Sequence, residues 1–246
     1  TGEPDGPPSK VPVAVNDVIT GLYAGISILA ALKHRDLTGL GQQIDLALLD
    51  VQVAWLYNQG VNYLLSGEVP GRLGTGHPNI VPYQAFEASD GYIILGTANE
   101  DAFQRFCEFS GHADLLKDPR FRTNADRVRN RNVANAKVQE IIKKKPADFW
   151  VTELSRLKIT CSRVNTIDQV FEDPQVRARN MTVDVSHPLS ATHPLRLISS
   201  PIKLSETPVA YRHPPPTLGQ HTDEVLSEIL ELDEAERDRL KADGVV

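Results

Sequence analysis

Between Val18 and Leu32 every residue is apolar, small or hydroxylic, so the pattern has no polar face. It predicts a helix from about Val18 to His34 that ends at the turn RDLTGLGQ. A helix that is apolar all round is expected to be buried on nearly every side inside a protein core. A short segment, QIDLA, leads to a second apolar helix, about Leu48 to Leu65, stopped by Ser66-Gly67. The pattern then changes period. YQAFEA and YIILG flank Ser89-Asp90-Gly91, and an Asp-Gly step between two such runs predicts a β-hairpin.

Beyond the hairpin the spacing is helical again, over Glu100 to Phe109, Asn124 to Lys144 and Ala147 to Lys158, the last started by Pro146. Short strands are predicted at Ser162 to Val164 and Thr182 to Ser186. From His187 to Pro216 the chain is rich in Pro, Ser and His and reads as a connection with brief extended pieces such as LRLI. Two helices close it, HTDEVLSEIL and DEAERDRLKADG, the second capped by Asp233 with Glu236 completing a capping box. The glycine-rich loop GEVPGRLGTGHPNIVP marks a shift in composition. It divides an expected helical domain over residues 1–68 from a small α+β domain over 69–188, with 189–246 as linker and return to the first.

Composition narrows the function classes. The chain has 246 residues, 41% hydrophobic and 24% charged, the profile of a folded globular protein. A formal net charge of -6 argues against a general nucleic-acid binder, which needs a concentrated basic surface. Two cysteines, Cys107 and Cys161, make no disulfide framework and no CxxC pair, so a reduced, cytoplasmic setting is expected. The run Val18 to Leu32 reads as too short to cross a bilayer and is interrupted by Thr20, Gly21, Gly25 and Ser27, so no membrane partner is expected. The chain opens on TGEPDGPPSK, a polar Pro/Gly loop of the kind that joins two pieces of structure.

Several constellations carry little. The histidines lie mostly beside prolines in loops without ligand spacing, and no metal site is expected. RLGTGHPN lacks the Lys-Ser/Thr of a phosphate-binding loop. RVRNRN, residues 127 to 132, reads as a solvated helix face that a ligand phosphate could also meet. Asp17, at the threshold of the first apolar run, has two readings. An Asp there can cap the helix through its orphan amides, or it can be a poised nucleophile.

The order of the pieces adds to this. TGEPDGPP, then ND before a small-residue helix, LAALKHRDLTGLGQQIDLALLD, GHPNIVPYQAF, SDGY, DPRFRTNADRVRNR and PPPTLGQHTDEVL follow one another almost end to end. In that order the sequence resembles the class III CoA-transferases, the family of formyl-CoA transferase, carnitine CoA-transferase and the succinyl-CoA:dicarboxylate CoA-transferases, with α-methylacyl-CoA racemase as a relative. GHPNIVPYQAF looks closest to the succinyl-CoA-dependent dicarboxylate transferases. The resemblance implies an α/β class III CoA-transferase fold, here its C-terminal part: the helical remainder of a Rossmann-like large domain plus a small α+β domain. Family members begin with a long segment of their own that carries much of the CoA site. This chain is expected to start in the middle of their large domain.

The resemblance also implies a role for Asp17. In the transferases the matching Asp attacks an acyl-CoA thioester, giving an aspartyl mixed anhydride and CoA thiolate. The thiolate attacks the aspartyl carbonyl to form an enzyme-CoA thioester, which the acceptor acid reopens before CoA passes to the new acyl group. Covalent catalysis of this kind divides one hard exchange into easier steps and calls for no bound cofactor. The CoA thioester is the substrate. Where formyl-CoA transferase has a run of glycines closing over the Asp, this chain has Gly74-Thr75-Gly76-His77-Pro78-Asn79. His77, Asn79 and Gln84 are the candidate substrate-binding donors, and Gly74 and Gly76 give the loop freedom.

Two other function classes follow. A racemase would move a proton beside the thioester carbonyl and would use Glu100, which falls where the racemase relatives place a catalytic Glu; the first-turn preference of acidic residues favours reading Glu100 as a surface or helix-start residue instead. A fragment could also serve only as a binding or assembly module. The expected partners are an acyl-CoA, a carboxylic acid and either a second copy of the chain or a chain supplying the family's N-terminal half, because exposed apolar faces drive association.

Overall fold

The predicted hairpin is present residue for residue in its first strand. β1 (Tyr83–Ala88) pairs antiparallel with β2 (Gly91–Gly96), from Tyr83 opposite Gly96 to Ala88 opposite Gly91. The structure, a computed structural model, describes the backbone of residues 1–246 and the side chains of all but residues 191 and 192. Ser89 and Asp90 form the turn, while Gly91 begins the returning strand with φ +151°. A third strand, β3 (Thr160–Arg163), joins on the other edge of β2, giving the order β1-β2-β3. The turn is tied down at both residues: the Ser89 amide donates to the Lys145 carbonyl, and Asp90 Oδ1 accepts from the Ala147 amide at 2.7 Å.

Helices cover this sheet. α4 (Glu100–Phe109) starts as expected, with Asn99 capping it by accepting from the Ala102 amide. The predicted helix over 124–144 is two, α5 (Asn124–Arg129) and α6 (Arg131–Ile142), separated at Asn130 with φ −107° and ψ 29°. α7 (Ala147–Arg156) follows Pro146, which stands at the cap position outside the helix; Asp90, across the fold, meets the Ala147 amide that Pro146 cannot cap with a side chain. Phe86, Ile93, Leu95, Phe106, Ile142, Leu154 and their neighbours form a continuous core between the sheet and α4, α6 and α7. Trp150 lies in it with its indole N–H donating to the Ile142 carbonyl at 2.8 Å, so a large aromatic is buried without an orphan donor.

The N-terminal helices differ in kind. α1 (Val15–Thr38) is longer than the spacing predicts and closes at Gly39 in a left-handed conformation, φ 76°. None of its residues is buried, against the expectation of burial on nearly every side; Leu29 is 68% exposed. The reason is local composition without a covering layer: α1 packs mainly on α2 (Leu48–Ala54), and most of its apolar surface stays exposed. Its 24 residues span about 36 Å, longer than the run Val18 to Leu32 alone, and the whole helix is apolar enough to cross a membrane by length and composition. A core helix of a globular protein passes the same test. The second predicted helix is broken at Trp55-Leu56, because Tyr57 takes φ 41° before α3 (Tyr57–Ser66) runs to its Gly67 cap at φ 74°.

The chain packs as two units, Thr1–Val164 and Asn165–Val246, whereas composition places boundaries at 68/69 and 188/189. The second unit holds α8 (Ile167–Glu172), α9 (Pro174–Ala178) and a hairpin of β4 (Thr182–His187) with β5 (Ser190–Ile198). The prolines and histidines around 187–198 favour a connection, yet the Thr182-to-Ile198 and Val183-to-Leu197 pairings make this stretch a ladder. HTDEVLSEIL forms only α10 (Thr222–Glu224) and a wide turn over Val225–Ile229. α11 (Glu234–Ala242) has the predicted capping box, Asp233 to the Glu236 amide and Glu236 back to the Asp233 amide.

Phe106 of α4, fully buried beside Trp150 of α7, is the stringent probe of this core. Phe106→Ala is expected to cost about 3–5 kcal/mol in denaturant unfolding, since the cavity adds to the lost transfer energy.

Candidate functional site

The loop after α3 is tied to the opening segment of the chain. Gly74 has φ 58°, its amide donates to the Gly2 carbonyl at 2.9 Å, and a Cβ there would stand 2.7 Å from the Glu3 carboxylate. The opening TGEPDGPP is therefore docked on the glycine loop. Arg72 completes the docking by donating to the carbonyls of Glu3, Pro4 and Gly6. The Gly76 amide donates to Leu73, and a Cβ at Gly76 would sit 2.9 Å from the Leu73 carbonyl, so this turn also admits no side chain.

His77, Asn79 and Gln84 come together around this turn. The His77 ring stacks on Tyr83 with centroids 5.4 Å apart, its Nδ1 accepts from the Asn79 amide at 3.1 Å, and its own amide donates to the Tyr83 carbonyl. Asn79 Oδ1 accepts from Asn62 of α3 at 3.3 Å. Gln84 Oε1 accepts from Asn135 of α6 at 2.6 Å. Beside them is an open cleft of about 690 Å³ lined by Arg72, Thr75, Gln84, Tyr92, Arg131 and Asn135, among others.

Of the arginines in the basic run 127–132, only Arg129, 69% exposed, keeps the solvated position expected from its composition. Arg127 is fully buried: its Nε donates to the Val81 carbonyl at 2.7 Å, its Nη1 to Phe121 and to Glu100 Oε2 at 2.8 Å, and its guanidinium lies 4.2 Å over the Phe103 ring. Arg131 donates to the carbonyls of His77 at 2.8 Å and Pro78 at 2.6 Å. Sequence reasoning missed these residues because charge alone favours solvent. The usable signal was the helical spacing of Asn124, Arg127 and Arg131 opposite a loop that lacks partners of its own.

Glu100 opens α4, but as an anchor. Its Oε2 takes the Arg127 guanidinium and its Oε1 the Asn124 amide at 2.6 Å, so both oxygens are engaged. Asp17 stands elsewhere. It is the third residue of α1, exposed, and does not cap it: the cap position is Ala14, which offers no side-chain bond. The preceding Asn16 Nδ2 donates to the Leu48 carbonyl, tying this turn to α2. No hydrogen bond or ion pair among the described residues joins Asp17 to the loop cluster. Neither cysteine competes as a nucleophile near neutral pH, since burial pushes the Cys107 thiol up to about 12 and the Cys161 thiol to about 11.

Comparison with known proteins identifies the class. Residues 1–222 match CoA-transferase family III, and the chain belongs to that family. It is 42% identical over 230 residues to the succinate–glutarate CoA-transferase of Agrobacterium fabrum, covering 93% of this chain and 57% of that protein. With the succinyl-CoA:glutarate CoA-transferase of Mus musculus it shares 34% identity over 250 residues, 100% of this chain and 56% of the relative. A CaiB/BaiF family protein from Brucella suis superposes with a TM-score of 0.74 at 39% identity, over 93% of this chain and 58% of the other. Rv3272 of Mycobacterium tuberculosis gives 0.76 at 26% identity, with 91% and 58% covered. The chain thus spans a little over half the length of the proteins it matches, consistent with the C-terminal part of the α/β family fold.

Gly74→Ala is expected to cost about 1–2 kcal/mol through the left-handed backbone alone. The added methyl also pushes on Glu3. Limited proteolysis should then cut the first ten residues faster than in the unaltered chain.

Proposed function

We propose that this chain carries the nucleophile-bearing part of a CoA-transferase that moves CoA between an acyl-CoA and a dicarboxylic acid, with Asp17 as the attacking carboxylate. The observation that carries the reading is the family match, together with relatives named for succinate, glutarate and succinyl-CoA at 42% and 34% identity. The placement of Asp17 supports it. Asp17 lies in the first turn of a 24-residue helix, where the macrodipole favours negative charge, and its carboxylate is exposed and unpaired among the described residues. The amides of Asn16 and Asp17 find no backbone acceptor there either, the usual state of a first turn, and such donors stabilise oxyanions that develop on attack.

In this mechanism the Asp17 carboxylate adds to the thioester carbonyl and expels CoA thiolate, leaving an aspartyl anhydride. The thiolate then attacks the aspartyl carbonyl and releases the donor acid, so that Asp17 holds CoA as a thioester. The acceptor carboxylate attacks that thioester, and the returning thiolate takes the new acyl group and frees Asp17. No proton, electron or cofactor is consumed. The loop residues His77, Asn79 and Gln84, with Gly74 and Gly76, line the acyl side. Proton transfer by Glu100 gains no support, because both its oxygens are engaged with Arg127 and Asn124.

The working form is an assembly. α1 leaves Leu22, Ile26 and Leu29 more than 60% exposed, an apolar surface that a second copy or a chain carrying the rest of the family fold would cover. Light scattering on the 27.1 kDa chain should therefore report a dimer or larger species, and a clean monomer contradicts the assembly. For the chemistry, succinyl-CoA is added to the chain together with the segment its relatives carry beyond the match. Hydroxylamine should trap a mass adduct on Asp17, and Asp17→Asn should lower CoA transfer to glutarate by about a thousand-fold or more. An unlabelled Asp17 in an active assembly rules out the covalent route, and an assembly without transfer leaves a binding or scaffolding role.

A further inference from the structure

The loop over residues 76–81 is fixed less by its own turns than by one face of the helix pair α5–α6. Asn124, Arg127 and Arg131 are spaced by three and four residues, so they stay on one face despite the break at Asn130. Each reaches the loop backbone. Asn124 Nδ2 donates to the Asn79 carbonyl at 2.8 Å while its Oδ1 accepts from the Val81 amide at 3.1 Å. Arg127 takes the Val81 carbonyl, and Arg131 bridges those of His77 and Pro78. Four loop carbonyls are thus turned toward the same three side chains.

We propose that this face is a clamp for the site loop, with Arg131 as the positioning residue that decides how His77 and Asn79 are presented to the substrate. The proposal rests on the reading of that loop as part of the acyl site. Its physical basis is the planar fork of arginine, which holds two carbonyls in one fixed geometry, where a lysine ammonium on a flexible stem cannot hold both in the same register. The loop needs such donors because a turn built on Gly74, Gly76 and Pro78 leaves its carbonyls without ladder partners. On its other side Asn79 reaches Asn62 in α3, the helix that follows α2, on which Asp17's helix packs. A shift of the clamped backbone would therefore move the loop against the helices on the nucleophile's side.

Arg131→Lys keeps the charge and removes the fork. In the full chain, hydrogen exchange at the amides of His77 and Asn79 should speed up by about tenfold or more, with Ile93 and Leu95 of the central strand unchanged. In the active assembly kcat should fall by about 10- to 100-fold, since a displaced site loop costs orientation, while the KM for acyl-CoA stays within about threefold. Loop amides that exchange as in the parent overturn the clamp, and so does a speed-up shared with the central strand, which is general destabilisation. A loosened loop with unchanged kcat overturns its catalytic relevance. If the parent assembly transfers no CoA, the transferase reading fails by itself, and exchange at His77 and Asn79 still decides the clamp.

Discussion

A buried guanidinium organises the better-packed part of this protein. Arg127 sits at 0% exposure, and a charge in that position is tolerated only where it is paired and hydrogen-bonded. Its partners come from four places: Glu100 at the start of α4, the carbonyl of Val81 at the end of the loop over residues 76–81, the carbonyl of Phe121, and the face of Phe103. One side chain thus fastens a helix start, a loop and a connecting turn to α5. The satisfaction is incomplete, since Nη2 finds no acceptor. Glu100, half exposed, brings the counter-charge from the solvent side, which lowers the cost of burying the pair.

The same interaction separates two regions of different character within residues 1–164. From Val81 to Cys161 apolar side chains close around the sheet, and polar groups inside are spent on connections such as Asp90 to Ala147 and Trp150 to Ile142. From α1 to α3 the apolar residues, Val51 apart, stay largely exposed. Dispersion and the hydrophobic effect hold the first region by itself, whereas a helix like α1 gains stability mainly when another surface covers it. The loop with Gly74, Gly76, His77 and Asn79 lies where these regions meet. Its backbone is tied to α5 and α6, and one of its side chains to α3.

Local rules were legible wherever the deciding interaction lay within a few residues. The hairpin around Ser89-Asp90, the start of α4 at Glu100, the glycine stop at Gly67 and the capping box of Asp233 and Glu236 are all short-range chemistry. The breaks at Tyr57 and Asn130 were not legible, because neither carries a proline or glycine that marks it. β5 was masked by residues that favour turns, and its pairing with β4 satisfied the backbone all the same. The basic run 127–132 shows the limit most clearly: its charge count speaks for solvent, while the loop carbonyls that Arg127 and Arg131 bind lie 46 to 54 residues earlier in the chain.

By itself, then, the sequence determined most of the element types, the family, and the residues Asp17, Gly74, Gly76, His77, Asn79 and Gln84 as candidates, since order and spacing of motifs survive without coordinates. Tertiary structure alone decided what those residues touch. It paired Glu100 with Arg127, turned two arginines inward, and left α1 uncovered. The physical reason is that burial and hydrogen-bond satisfaction are properties of the assembled surface, in which a donor is matched to whichever acceptor the fold brings near.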